Sequence, residues 1–211
     1  MSKKLVIYGA GGFGREVKSM LPHLKEQYEL VGFLDDGLAV GTVVDGTPVL
    51  GGVDWIRDHV DKVKLVLAIG NPKVKATVYR QLQQYADLKF PIIIHPNAHL
   101  QDIDKISIGD GTIIGAGSVL TTGITIGKHV LINLNVTIGH DTVIGNLTSV
   151  MPGVNIAGSV TLGNEVMIGS GANIINKIKI GDLSIIGAGS VVNHDIPPAS
   201  TAAGVPARVI R

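Results

Sequence analysis

The chain has 211 residues, enough for one large domain or two modest ones that each bury a core. Hydrophobic residues are 45% and charged residues 17%, with a formal net charge of +1, which argues against disorder and against a nucleic-acid surface. The lack of cysteine excludes disulfides, thiolate metal sites and a cysteine-bound acyl intermediate.

Only the first three residues resemble the front of a signal peptide, because the apolar run Leu5-Val6-Ile7-Tyr8 stops at glycine. No apolar run approaches the ~20 residues of a membrane span. The expectation is a soluble, cytoplasmic chain. Glycine is abundant, at 28 residues, and aromatics are scarce, at 4%, so Ile, Val, Leu and Ala must fill the interior, as they do in narrow repeat cores.

Residues 1–95 read as alternating strands and helices. Leu5–Tyr8 is a buried strand that ends in glycines, and helical spacing follows from Phe13 to Leu24, with Val17, Met20, Leu21 and Leu24 on one side. Leu30–Leu34 is a second strand, stopped by Asp35-Asp36-Gly37. A short helix is expected over Val53–Val60 and a third strand over Val63–Ile69. Pro72 suits the first turn of a helix running to Tyr85, and Pro91–Ile94 reads as a fourth strand. This alternation predicts a small Rossmann-like parallel sheet with helices on its faces.

Gly9, Gly11 and Gly14 satisfy G-x-G-x-x-G between strand and helix, and Asp35 and Asp36 stand at the end of the next strand. That spacing suits a nucleotide: a tight turn, backbone close to phosphate, a helix N-terminus facing the anion and a carboxylate on ribose. Some 95 residues leave room for about half a dinucleotide fold and no hydride-transfer domain, so a mononucleotide moiety is expected. Asn71, after the third strand, would line the same crevice. The alternative is a domain that only packs.

Residues 96–211 change period. Every sixth residue from Ile108 to Val192 is aliphatic, and the next residue is often glycine, as at Gly109, Gly139 and Gly163. Four residues after each aliphatic comes a small or β-branched side chain, as at Thr112, Ser118, Thr148 and Val166. Such a frame predicts a solenoid in which each unit is a short strand and a turn, three units close one coil, and the aliphatic column points inward. Glycines would relax the turns. His129 and His140, the fourth and third residues of their units, should point outward at corners.

This frame resembles the hexapeptide-repeat acyltransferases. Ala203-Gly204-Val205-Pro206-Ala207-Arg208 resembles their tail, while Gly9–Glu16 and Gly32-Phe33-Leu34-Asp35-Asp36 resemble one branch. That branch holds sugar O-acyltransferases of the sialic acid type and nucleotide-sugar N-acetyltransferases of the pilin-glycosylation type. The resemblance implies a left-handed parallel β-helix, homotrimers with sites between neighbouring helices, and acetyl-coenzyme A as co-substrate without a metal.

It also implies residue roles. Gly11, Gly12, Phe13, Gly14, Asp35 and Asp36 would receive the nucleoside diphosphate of a sugar nucleotide. His140 would be the general base and Asp141 its acidic partner, with the polar Asn133 nearby. Some relatives carry a second histidine where this chain has Ser149. Ser170 and Ala188 match coenzyme A contacts, Gly158 lines the cleft, and Arg208 could meet a coenzyme phosphate. The expected activity is acetylation of the 4-amino group of a nucleotide-linked sugar. The alternatives are O-acetylation of a free sugar such as sialic acid, a trimeric metal-dependent hydratase on the same helix, and an inactive scaffold.

Overall fold

The computed structural model describes residues 3–211. Contacts divide the chain into two units: residues up to 70 together with 74–91, and residues 71–73 together with 92–211.

The first unit contains β1 (Lys3–Tyr8), α1 (Gly12–Met20), β2 (Tyr28–Leu34), β3 (Val43–Val44), β4 (Thr47–Gly51) and β5 (Lys64–Leu67), and α2 (Pro72–Leu82) follows β5. The sheet order is β3-β4-β2-β1-β5. Strands β4, β2, β1 and β5 run parallel, and β3 pairs antiparallel with β4. Leu5, Val6, Ile7, Phe33, Leu34, Leu65 and Val66 have no exposed surface, which is why these runs are continuously apolar rather than alternating. The chain passes from β1 through α1 to β2 on one side and later returns to the other side of β1 as β5. Strand order therefore reverses at β1, and the carboxyl ends around it form the crevice where such sheets take ligands.

Three expectations change here. The hairpin of β3 and β4 goes unread in the sequence, although Asp45 and Gly46 both have positive φ, 48° and 73°, and Asp-Gly is a strong short-hairpin signal. Helix α1 ends at Met20 and continues only as a 3₁₀ turn, Leu21–His23, because Pro22 has no amide to extend the α ladder. The expected helix at 53–60 is a 3₁₀ segment, Val53–Asp58, and His59 beside it stacks on Trp55 with ring centroids 3.7 Å apart.

The second unit is a parallel β-helix with three faces. The first face stacks Ile93–Ile94, Ile113–Ile114, Leu131–Ile132, Ser149–Val150, Met167–Ile168 and Ile185–Ile186. The second stacks His99–Leu100, Val119–Leu120, Thr137–Ile138, Asn155–Ile156, Asn173–Ile174 and Val191–Val192. The third stacks Ile106–Ile108, Ile124–Ile126, Val143–Ile144, Thr161–Leu162 and Lys179–Ile180. The expected fourth strand of the first sheet is instead the first rung here, since Ile93 and Ile94 pair with Ile113 and Ile114. Its coil carries extra residues around the 3₁₀ turn Ile103–Lys105, which hid it from the six-residue frame.

The aliphatic column behaves as expected. Its fourteen members from Ile114 to Val192 are all exposed by 2% or less. Each such burial is worth roughly 1.5–3 kcal/mol, so the stack supplies the driving force for coiling. The small residues four places on also do polar work: Ser118 Oγ donates to the Asn133 carbonyl at 2.7 Å and accepts from the Val136 amide at 3.3 Å. Thr112, Thr148 and Ser184 repeat this double bond in other coils.

The glycines after the aliphatic column do not relax the turns. A Cβ on Gly145 would meet the Gly163 carbonyl carbon at 2.5 Å, so these positions are small because successive coils approach closely. The left-handed residues lie elsewhere, one per unit, and many carry side chains, including His129 (φ 54°), Asn135 (54°), Asp141 (57°) and Ser159 (59°).

Candidate active site

The 18-residue coil sorts outward side chains into corner columns. After the second face the stacked residues are Thr122, His140 and Gly158, as shown by the amides of Asp141, Ser159 and Lys177 donating to the carbonyls of Thr122, His140 and Gly158. After the first face they are Leu134, Pro152, Ser170 and Ala188, tied in the same way by Gly153, Gly171 and Gly189. After the third face Asn146, Asn164 and Asp182 form a ladder, each side-chain oxygen accepting the amide one coil below at 2.7–2.8 Å.

His140 and Asp141 project from their corner, with side chains 62% and 68% exposed. His140 Nδ1 lies 2.9 Å from Asp141 Oδ2. A carboxylate only accepts, so in the neutral imidazole the proton belongs on Nδ1 and the lone pair on Nε2. The left-handed backbone at Asp141 lets two consecutive side chains meet. The Nε2 edge rests over Gly158, where an added Cβ would overlap Nε2 and stand 2.6 Å from Cε1. An oriented imidazole whose Nε2 is left to accept can remove a proton from an incoming nucleophile.

His129 departs from expectation. It is only 2% exposed, and its ring covers Gly111, where a Cβ would stand 2.5 Å from Cε1. A histidine folded down over the coil below cannot serve a solvent-borne substrate as placed.

The other expected residues fall as follows. Gly158 is brought against His140. Ser170 and Ala188 are exposed and share a corner with each other, not with His140. Asn133 sits beside that same corner, 7% exposed, and its Oδ1 accepts the Leu134 amide at 2.7 Å. Ser149 has no exposed surface, so its hydroxyl faces protein rather than the solvent from which a coenzyme approaches. Arg208 is exposed on the terminal hairpin of Thr201–Gly204 and Ala207–Val209, with Nη1 donating to the Ala207 carbonyl at 2.9 Å.

In the first unit the glycine loop joins β1 to α1. Gly9 (φ 105°) would press a Cβ against the Ala68 carbonyl oxygen at 2.7 Å, and a Cβ on Gly14 would meet the Gly9 carbonyl. Both are required by packing. Gly11 and Gly12 are exposed, with no protein atom within 4 Å of an added Cβ, so the chain itself does not require glycine there. Phe13 is half-buried in the first turn of α1.

Asp35 braces this loop: Oδ2 accepts the Ala10 amide at 2.9 Å and Oδ1 the Gly37 amide at 2.9 Å. Asp36 Oδ2 accepts the Tyr8 hydroxyl at 2.5 Å. Burial, then the Asp36 hydrogen bond, holds the Tyr8 phenol well above its usual range, so it stays a donor. Asp35, Asp36, Gly52, Asp54, Gln81 and Gln84 line a cleft of about 570 Å³. Asn71, directly before α2, groups by its contacts with the second unit rather than with Asp35 and Asp36.

Among the described residues no group of three or more His, Cys, Asp or Glu side chains is placed to hold a metal. None of their helices is long and apolar enough to cross a membrane.

The sequence matches the PglD N-terminal domain over residues 4–82 and the bacterial transferase hexapeptide (six repeats) over residues 159–194. None of the curated proteins matches it. Among solved structures, the acetyltransferase domain of PglB from Neisseria gonorrhoeae, in complex with acetyl coenzyme A, is 29% identical with a TM-score of 0.90, covering 100% of both chains. A mutant of perosamine N-acetyltransferase from Caulobacter crescentus, in complex with CoA and GDP-perosamine, is 27% identical with a TM-score of 0.89, covering 99% of this chain and 97% of that one. WeeI from Acinetobacter baumannii is 31% identical with a TM-score of 0.86, covering 99% of this chain and 100% of its own. Full-length likeness at this identity, joined to the corner histidine and the six-residue frame, gives the β-helix its left hand and settles the kinship: the chain belongs to the hexapeptide-repeat acyltransferases of the nucleotide-sugar N-acetyltransferase, pilin-glycosylation type.

Proposed function

We propose that this chain transfers an acetyl group from acetyl-coenzyme A to the 4-amino group of a nucleotide-linked amino sugar, with His140 as general base. The observation that carries this reading is the exposed His140–Asp141 pair, with Nδ1 fixed at 2.9 Å from the Asp141 carboxylate. The neutral amine attacks the thioester carbonyl and forms the C–N bond. His140 Nε2 takes the proton the nitrogen loses, while Asp141 holds the ring and balances its charge. A backbone N–H meets the oxyanion. Collapse breaks the C–S bond, and the coenzyme leaves as its thiol after taking up that proton.

The coenzyme is assigned to the corner of Ser170 and Ala188, with Gly158 lining the cleft at the base and Arg208 meeting a phosphate. Within one chain Ser170 and Ala188 occupy a different corner from His140, which supports completion of the site by a second copy and assembly as a homotrimer. Asn133, beside the Ser170 corner, would complete the site in the same way.

The nucleoside diphosphate is assigned to the first unit, at Gly11, Gly12, Phe13, Gly14, Asp35 and Asp36. The open ground above Gly11 and Gly12 at a helix N-terminus supports a phosphate there. The two relatives solved with coenzyme or sugar nucleotide support the substrate classes. We place the reaction in the cytoplasm.

The test is His140→Ala, with release of coenzyme A followed on UDP-, GDP- and dTDP-linked 4-amino sugars. The expected result is roughly 10²–10⁴-fold lower turnover. Wild-type turnover in the variant would remove His140 as base, and acetylation of sialic acid alone would move the activity to O-acetylation.

A further inference from the structure

Two carboxylates follow β2, and the structure gives them different work. Asp35 is committed to the fold: Oδ2 accepts the Ala10 amide and Oδ1 the Gly37 amide, both at 2.9 Å. With each oxygen on a backbone amide, Asp35 shapes the glycine loop.

Asp36 uses one oxygen only. Oδ2 accepts the Tyr8 hydroxyl at 2.5 Å, and the side chain makes no other hydrogen bond or ion pair among the described residues. Oδ1 lies over Gly52, where an added Cβ would overlap it. Gly52 has a φ of −100°, a backbone that any residue adopts. The Asp36 carboxylate, not the backbone, is therefore what requires glycine there. The Asp35 amide donates to the Gly51 carbonyl at 2.8 Å, which ties the ends of β2 and β4 together and keeps Asp36 over Gly52.

Asp35 and Asp36 line one cleft with Leu38, Val53, Asp54 and Gln81, and no lysine or arginine lines it among the described residues. Phosphates are repelled by such a lining and favoured at the amino end of α1. Asp35 is the wall that cleft and glycine loop share, because it also holds Ala10. A nucleotide with its phosphates on the loop brings its ribose past Asp35 to Asp36. There a hydroxyl can donate and a carboxylate accept. In doubly wound parallel sheets the acid after the second strand takes the ribose 2′-hydroxyl.

We infer that Asp36 is a specificity-determining residue whose Oδ1 accepts the ribose 2′-hydroxyl, so that the site prefers ribonucleoside diphosphates to their 2′-deoxy forms. Tyr8 and Gly52 are its positioning residues. This rests on the assignment of the nucleoside diphosphate to the first unit and narrows it: a thymidine carrier, which lacks the 2′-hydroxyl, binds more weakly than a uridine or guanosine carrier.

The experiment is calorimetric titration of UDP against 2′-deoxy-UDP, and of GDP against 2′-deoxy-GDP, on wild type, Asp36→Ala and Asp35→Asn. For whichever base binds, wild type should hold the ribo form about 10- to 100-fold more tightly, the scale of one hydrogen bond to a charged group. Asp36→Ala should bring that ratio to about one, because the acceptor is gone. Asp35→Asn should weaken both forms alike and keep the ratio. If Asp36→Ala does not fold, the isosteric Asp36→Asn, which keeps shape and loses charge, should cut the ratio to below about 10-fold. Equal binding of both forms by wild type, an unchanged ratio in the Asp36 variant, or a ratio lost in Asp35→Asn alone would overturn the inference and leave nucleotide binding intact. Failure of wild type to bind any of the four diphosphates would instead overturn the nucleotide assignment, and the inference with it.

Discussion

The imidazole of His140 occupies the space that a side chain on Gly158 would fill: an added Cβ would overlap Nε2 and stand 2.6 Å from Cε1. Gly158 does not have a left-handed φ, and its corner carries Thr122 one coil below His140, so neither backbone nor repeat demands glycine there. Gly158→Ala should push the ring outward and lower kcat by about 10²-fold, the scale of an ångström of misplacement. The melting temperature should change little, because the ring turns into solvent. Steady-state kinetics with a crystal structure of the variant checks both statements; wild-type kcat with a displaced ring would separate the base from this geometry.

Asp141→Asn keeps shape and removes charge. An asparagine amide can donate to Nδ1, which moves the histidine proton to Nε2, the atom that must accept one. We expect kcat to fall by about 10²–10⁴-fold with folding intact. The ring-nitrogen NMR signals of His140 should show the proton moving from Nδ1 to Nε2.

Tyr8→Phe removes the 2.5 Å hydrogen bond to Asp36 without creating a cavity. Asp36 is exposed, so water replaces the phenol and the expected cost is about 1 kcal/mol. Nucleotide binding should weaken more clearly, because Asp36 is no longer aimed. Urea unfolding gives the first quantity and calorimetric titration with UDP, GDP and dTDP the second.

Lys75 is 1% exposed, and burial lowers its ammonium to about 7. The unfolded value is about 10.4, so between the two the folded chain binds fewer protons than the unfolded one. Stability from this group therefore rises with pH across that window, by up to ~1.4 kcal/mol per unit, and is flat below it. Lys75→Met should flatten the rise, because it removes the titrating group. Urea unfolding of both proteins at several values between pH 7 and 10 measures the slope, and an unchanged slope would assign it elsewhere.

The β-helix was legible because a repeat states its rule many times: an aliphatic every sixth residue, and a buried member at every step from Ile114 to Val192. The first coil was not, because the extra residues around Ile103–Lys105 break the frame, and Pro91–Ile94 then resembles any short apolar strand. The β3–β4 hairpin carried a readable Asp-Gly signal in Asp45-Gly46, overlooked because a two-residue strand has almost no period.

For the candidate site, the chain by itself determined the repeat, the glycine loop and the adjacency of His140 and Asp141, since each is a matter of spacing along one dimension. Only the tertiary structure decided which corner each residue occupies. It folded His129 down over Gly111, buried Ser149 and turned Asp35 into a brace for the Ala10 amide. The physical reason is the coil: residues 18 or 20 apart become neighbours across a hydrogen-bonded rung, and whether a side chain there meets solvent, a glycine or another polar group depends on the rungs above and below it.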